Sequence, residues 1–329
     1  MGKVVGLTYD LKNEYVFKEG DPPDANAEFD HEQTIAEIEK ALIKGGHKVV
    51  RIGNVQNLIK KLDRIKVDIV FNIAEGEFGR NRESQVPVIL ELKKIPFVGS
   101  DGLTLALTLD KVIAKKIFIY EGIPTPPFIE ISQPDTIEKV NLRFPLIVKP
   151  RYEGSSKGLS FDSLVRDVNS LRERARWIIK TYKQPAVVEE FIRGREFTVV
   201  VLGNNPPQAL PPVQISIDGK LNLKENFYTF RHIHSRSLKY ICPAKITKGL
   251  RKCLEELAIA VYRAVECRDF GRVDIRVDED NRPFVLEINP LPSLSLGDVF
   301  PLVGRQMGWK YKDIINRILQ YALERYELS

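Results

Sequence analysis

The sequence predicts an α/β protein with more than one core, on three observations. The first hundred residues alternate short apolar runs with a helical pattern, as the strand–helix–strand units of a parallel sheet do. That pattern breaks near residue 105 and again at Gly203, which sets subdomains at 1–105, 106–203 and 204–329, and 329 residues exceed what one core usually supports. Late in the chain two alternating segments face each other across a short turn, the signature of an antiparallel ribbon.

Taken in order, residues 4–7 form an apolar strand, and Ile35, Ile38, Leu42 and Ile43 recur at helical spacing. Gly45 and Gly46 offer the left-handed residue that a helix C-terminus favours, so this helix stops before strands at 49–52 and 68–73. A helix over 110–120 carries Ile113, Ile117 and Tyr120 at helical spacing, and Pro124, Pro126 and Pro127 end it. A strand at 145–149 leads into a Gly- and Ser-rich loop at 153–158. A helix with Val165, Val168, Leu171, Ala175 and Ile178 on one face follows, then strands at 187–192 and 197–202. The pairs Pro206–Pro207 and Pro211–Pro212 predict exposed turns or edge strands. A helix around 250–265, the ribbon at 271–289 and a last amphipathic helix complete the chain.

Composition narrows the function class. Fifty Lys plus Arg against 44 Asp plus Glu leave a net charge of +6, too dilute to mark a nucleic-acid binder, and no basic run is interleaved with stacking aromatics. No stretch approaches the ~18 apolar residues of a membrane span, and the N-terminus shows no secretory core, so a cytoplasmic location is expected. Cys242, Cys253 and Cys267 show no CxxC pairing and read as inert thiols; the HxH pair His232 and His234 lacks cysteine partners, which argues against zinc.

The ribbon carries the chemistry. If Val277 opposes Phe284 across a turn at Asp280 and Asn281, then Ile275 faces Leu286 and Val273 faces Ile288, so one face is apolar throughout. The same register sets Asp274 opposite Glu287 and Arg272 opposite Asn289. Directly opposed carboxylates repel unless a positive charge lies between them. Two acids and an amide oxygen suit Mg²⁺, which takes phosphate oxygens for its remaining sites; a solvated face neutralised by Arg272 and Arg276 is the plainer alternative. The loop Glu153, Gly154, Ser155, Ser156, Lys157, Gly158 lets backbone N–H groups approach an oxyanion, or is an ordinary turn. Lys149 ends an apolar strand, where a charge serves a ligand or partner, or snorkels.

Together these residues resemble the D-alanine:D-alanine ligase family of the ATP-grasp superfamily. The resemblance runs from about Leu109 to Gly308 through LDK at 109–111, VKPRYEGSSKG at 148–158, EFIRGREFTV at 190–199, CPA at 242–244, GRVDIRVD at 271–278 and LEINPLPSLS at 286–295. It implies an ATP-grasp fold of three subdomains with ATP between the central and C-terminal ones. It also implies a ligase that phosphorylates one carboxylate and lets an amine attack the acyl phosphate. Carried over by position, Lys111 and Lys149 contact ATP phosphates, Glu153, Ser155 and Ser156 belong to the loop over them, and Glu189, Glu190, Phe191 and Ile192 form the adenine hinge. Glu196 binds ribose, while Asp274, Glu287 and Asn289 hold two Mg²⁺ ions, with Mn²⁺ able to replace them. Arg272, Ser155 and Lys149 fall at catalytic positions, Arg272 steadying the tetrahedral oxyanion. His232, with Arg231 and His234, lies in a second lid stretch, as a phosphate contact or a solvated basic loop. A homodimer and small amino-acid-like substrates are implied as well.

The match weakens at the amino-acid end. The family's N-terminal signature has no counterpart in residues 6–10; an Asp- and Pro-rich insert at 19–24 precedes Glu28, Phe29, Asp30 and His31. Glu28 or Asp30 takes the amine-binding role, unless Asp30 caps the helix. Glu75 replaces a family histidine, a lid tyrosine aligns near Ile233, and Ser293 and Asp298 stand where the family has a glycine and the serine that grips the acceptor carboxylate. Unless Arg305, a lysine or a metal compensates, an aspartate here repels a carboxylate, which favours a cationic or amine-rich acceptor. The expected function is therefore an ATP-dependent carboxylate–amine ligase with substrates other than D-alanine. An orthodox D-alanine:D-alanine ligase and a nucleotide-binding protein without ligase activity are the alternatives.

Overall fold

A computed structural model describes residues 2–229, 235 and 237–329. Among these, the strands form three sheets. The first is parallel, in the order β2–β1–β3–β4, from β1 (Val4–Tyr9), β2 (Lys48–Gly53), β3 (Ile69–Ile73) and β4 (Phe97–Val98). Its helices are α1 (Glu32–Lys44), α2 (Val55–Lys61) and α3 (Gln85–Leu92). Helix α1 buries Ile35, Ile38 and Leu42 as its periodicity requires, whereas Ile43 lies one step off that stripe and is exposed. Gly46 takes the left-handed φ of +90° at the exit.

Two helices, α4 (Gly102–Leu109) and α5 (Lys111–Tyr120), lead to the second sheet. The apolar side of α5 is rotated from the expected one: Val112, Ala114, Lys115 and Phe118 are buried and Tyr120 is exposed. The second sheet is antiparallel, β5–β8–β6–β7, from β5 (Phe128–Ile131), β6 (Leu146–Pro150), β7 (Leu164–Val165) and β8 (Ala186–Glu190), with α6 (Val168–Tyr182) packed on it.

The third sheet joins β9 (Arg195–Leu202), β10 (Gln208–Ala209), β11 (Val213–Ile217), β12 (Leu238–Ile241), β13 (Phe270–Val277) and β14 (Pro283–Asn289), with α7 (Lys248–Ala264) behind β9 and β13. Pro211 and Pro212 are buried just before β11, not exposed, because they join two strands inside the core. Helix α8 (Val299–Gln306) follows, and α9 (Tyr311–Arg325) returns to pack on α1, where Asn316 Nδ2 donates to Ala41 O at 2.9 Å. The last helix thus completes the core of the first sheet.

The β13–β14 ribbon follows the expected register at its open end, with Arg272 opposite Asn289, Val273 opposite Ile288 and Asp274 opposite Glu287. Toward the turn the expected pairs fail. A bulge shifts Ile275 onto Val285, Arg276 onto Phe284 and Val277 onto Pro283. One extra residue on β14 reverses every side chain beyond it, so Val285 is fully buried while Leu286 faces the cleft described below.

Candidate active site

The β13–β14 ribbon, the ends of β6 and β8 and the wall formed by residues 27–34 and 73–83 enclose a cavity of about 520 Å³. It gathers residues far apart in sequence: Lys111, Lys149, Glu153, Ser155, Ser156, Glu189, Glu190, Phe191, Ile192 and Glu196, the ribbon side chains Arg272, Asp274, Glu287 and Asn289, and Glu28, Glu75, Ser293 and Asp298. His232, with Arg231 and His234, lies outside the described residues.

At one end, antiparallel pairing of β6 with β8 brings two buried charges together. Lys149 Nζ lies 2.8 Å from Glu189 Oε1, and Lys115 Nζ of α5 lies 3.3 Å from the same oxygen. Lys149 therefore does not snorkel: it is 7% exposed and ion-paired. Burial alone would raise the Glu189 pKa, but the two ammonium groups hold it below the ordinary carboxylate value. Burial works against Lys149 too and is outweighed by Glu189 and Glu287, whereas for Lys115 burial wins and the pKa falls to about 8. Beyond Glu189, the Glu190 carboxylate is engaged by Arg143 at 2.8 Å. The Phe191 ring packs under Arg276, 4.6 Å from its centroid, and Arg276 Nη1 lies 3.9 Å from Glu196. Burial still raises the Glu196 pKa.

On the ribbon, Asp274 accepts from Arg272 Nε at 3.1 Å, Arg272 Nη2 at 3.0 Å and Asn289 Nδ2 at 3.0 Å. Glu287, its cross-strand partner, is 3.6 Å from Lys111 Nζ, which also donates to the Glu153 carbonyl. Burial raises the Asp274 pKa; Arg272 opposes this and Glu287 adds to it. Burial would raise the Glu287 pKa, but Lys111, Lys149 and Arg272 hold it below the ordinary value; the two carboxylates and the Asn289 amide oxygen form a donor set that fits a hard divalent cation. Among the described residues no group of three or more His, Cys, Asp or Glu could hold a metal, as expected of a set with two acids and an amide.

The opposite end is crowded with acids. Glu28 accepts from Arg82 Nη2 at 2.8 and 2.9 Å, Gly154 N at 2.7 Å and Lys157 Nζ at 3.3 Å. Burial raises its pKa, yet these partners bring it down to about 2. Both oxygens are used, which leaves no lone pair directed at a substrate ammonium. Glu75 and Glu83 lie on the same wall: burial and mutual repulsion raise the Glu75 pKa well above the ordinary value, and burial brings that of Glu83 to about 7. Asp30 does not cap α1. The N-cap is His31, and the Asp30 side chain reaches Thr34 and faces Lys12 and Asp298, with burial lifting its pKa to about 7. Asp298 is itself an N-cap, accepting from Val299 N at 2.6 Å at the start of α8, and Ser293 Oγ accepts from Ser295 N at 3.3 Å.

A family model described as "D-ala D-ala ligase C-terminus" matches residues 117–320. The chain belongs to the D-alanine–D-alanine ligase family. This ligase, of an ATP-dependent carbon–nitrogen-bond-forming class, is 33% identical over 297 residues to the D-alanine–D-alanine ligase of Carboxydothermus hydrogenoformans, covering 87% of this chain and 91% of that one. It is 37% identical over 294 residues to an uncharacterised protein of Sinorhizobium fredii, covering 87% and 86%. Its fold matches the crystal structure of the Bacillus anthracis D-alanine–D-alanine ligase complexed with ATP at a TM-score of 0.75 and 24% identity, over 99% of both chains. The ligase therefore has the ATP-grasp fold.

Several cavity or wall residues escaped the sequence reading. Lys115 sits at helical spacing between Val112 and Phe118, so a lysine on an apolar stripe was the available signal. Arg82, Glu83 and Tyr228 carry no such signal, because nothing local distinguishes them from surface residues. Tyr240 alternates in a short strand with an exposed neighbour, too brief a pattern to read.

Proposed function

We propose that the ligase uses ATP and Mg²⁺ to join a carboxylate to an amine through an acyl phosphate, and that its acceptor amine carries no neighbouring carboxylate. The observation that carries the second part is the start of α8. A helix N-terminus facing a cleft is a ready anion site, but here the Asp298 carboxylate already takes the Val299 N–H. An acceptor carboxylate would meet that aspartate, with Asp30 opposite, instead of a free donor. A neutral or cationic amine meets two acids.

The donor carboxylate attacks the γ-phosphorus and ADP leaves; the amine then attacks the acyl carbon, phosphate departs, and the nitrogen loses a proton. Lys111 and Lys149 hold phosphate oxygens, residues 189–192 border adenine and Glu196 takes the ribose. Asp274, Glu287 and Asn289 would hold Mg²⁺, which when bound neutralises phosphate charge. Arg272, fixed by two hydrogen bonds to Asp274, donates toward the oxyanion that forms as the amine adds. Glu28 is engaged by Arg82 and Lys157, so Asp30 is the better candidate to hold a donor ammonium.

The names of the curated relatives favour a second reading, D-alanine as both donor and acceptor. One assay separates them: ADP release and product mass with D-alanine alone, then with D-alanine plus simple amines, diamines and amino-acid amides. Turnover restricted to amines without a carboxylate is expected; a preference for D-alanine as acceptor would overturn the proposal.

A further inference from the structure

The 153–158 loop is held at one end by Asp24 of the Asp- and Pro-rich insert and at the other by Glu28, just beyond it. Near its start, Gly154 N donates to Glu28 Oε1 at 2.7 Å; at its end, Gly158 N donates to Asp24 Oδ2 at 2.8 Å. Each carboxylate is itself fixed. Arg82 grips Glu28 and also donates to the Tyr152 carbonyl at 2.8 Å, while Tyr182 of α6 donates its hydroxyl to Asp24 at 2.8 Å. The chain comes close at both clamp points, and Gly158 needs to be glycine. A Cβ on Gly154 would lie 2.7 Å from Glu28 Oε1, and one on Gly158 would lie 2.6 Å from Pro150 Cγ, at a φ of +73° that already disfavours a side chain.

Between the clamps, Ser155 and Ser156 have left-handed φ values of 46° and 56°, and their amides donate to no protein acceptor among the described residues. Both residues border the cavity, whereas Asp24 does not. We infer that Asp24 and Glu28 are positioning residues that pin the ends of this loop and so present its two central amides to the phosphates of the nucleotide. Successive free N–H groups on strained backbone make an anion-binding concavity. Holding them in place before the ligand arrives removes the ordering cost at the moment of binding. Glu28 stays ionised at neutral pH, so its bond to Gly154 is charge-assisted. The inference rests on the nucleotide reading of the cleft.

Asp24 gives the cleaner test, since it touches no ligand. Hydrogen exchange of the 153–158 segment is measured in the ligand-free protein, and calorimetry measures binding of AMP and of the non-hydrolysable ATP analogue AMPPNP with Mg²⁺. Asp24→Ala is expected to speed exchange in the loop by about tenfold or more. It should weaken AMPPNP by about tenfold and leave AMP within about twofold. Asp24→Asn, which keeps an oxygen for the Gly158 N–H, should restore both. Unchanged exchange in Asp24→Ala would overturn the clamp. Equal losses for AMP and AMPPNP would reduce Asp24 to a structural residue and overturn the positioning role. A wild-type protein that binds neither nucleotide would overturn the nucleotide reading and the purpose assigned to the clamp, with the exchange data still reporting whether the contact holds.

Discussion

The two ends of the cleft solve opposite electrostatic problems. At the nucleotide end the acids sit beside bases: Glu189 lies between Lys115 and Lys149, Asp274 faces Arg272, and Glu287 lies near Lys111. At the amino-acid end Glu28, Asp30, Glu75, Glu83 and Asp298 outnumber Lys12, Arg82 and Lys157. Glu28 and Glu153 share Arg82 and Lys157, and burial holds the Asp30 and Glu83 pKa values near 7. One end is prepared for a ligand dense in negative charge. The other holds protons that a cationic ligand can replace. Charges are thus balanced across paired strands at one end, while at the other buried acids from separate segments of the chain face one another.

The largest expected effect tests the nucleotide end. Asp274→Asn and Glu287→Gln should each lower kcat by about 10³-fold or more, equivalent to about 4 kcal/mol of transition-state stabilisation. Circular dichroism should remain native, because both side chains lie at the cleft and not in a core cluster. Near-normal turnover at ordinary Mg²⁺ would remove the ribbon from the mechanism.

Next in size is the buried charge cluster. Glu189→Leu leaves Lys115 and Lys149 facing each other without their counter-ion, and removing one partner of a buried pair typically destabilises by about 3 kcal/mol or more. A lower urea midpoint at unchanged slope is the expected result. An unchanged midpoint would mean that solvent, not Glu189, compensates the lysines.

The same division decides what the sequence could reveal. Strict alternation in 271–277 and 286–289 was enough to set Asp274 opposite Glu287, because a buried face specifies register. The bulge escaped, although Val285, the residue that broke the alternation, was the sign of it. The glycines at 45 and 46 mark the end of α1, but α5 is rotated from its expected face because Lys115 is a buried charge that no apolar pattern counts. At the other end almost nothing was legible. The contacts of Glu28 with Arg82 and Gly154 span 54 and 126 residues, and separations of that size leave no local period.

A smaller effect follows from the unpaired acids. The Asp30 pKa stands near 7 in the folded chain against an ordinary 3.8, so folding takes up a proton between those values. The stability it contributes is fully present below the unfolded value and is lost as pH rises through about 7. Tm should therefore fall between about pH 5 and 7.5 and then level off as this group finishes titrating. Asp30→Asn should flatten part of that slope, the remainder coming from other buried acids that shift in the same direction, Glu75 and Glu83 among them. A slope identical in wild type and variant would mean that Asp30 is ionised throughout and pairs with Lys12.

The mildest change in stability should carry the most information about specificity. Asp298→Ser keeps a side-chain oxygen at the N-cap of α8, so unfolding should shift by no more than about 0.5 kcal/mol. What changes is the charge at the start of α8: the aspartate's negative charge is removed and the helix terminus regains its positive potential, which favours a carboxylate. D-Alanine should then improve as an acceptor by about tenfold, with KM falling and kcat little altered, as befits uniform binding. The acceptance of simple amines should drop in the same variant, because the site loses one of the two acids that attract them. If both profiles stay as in the wild type, Asp298 serves only to cap its helix, and the acceptor lies against the Asp30 wall instead.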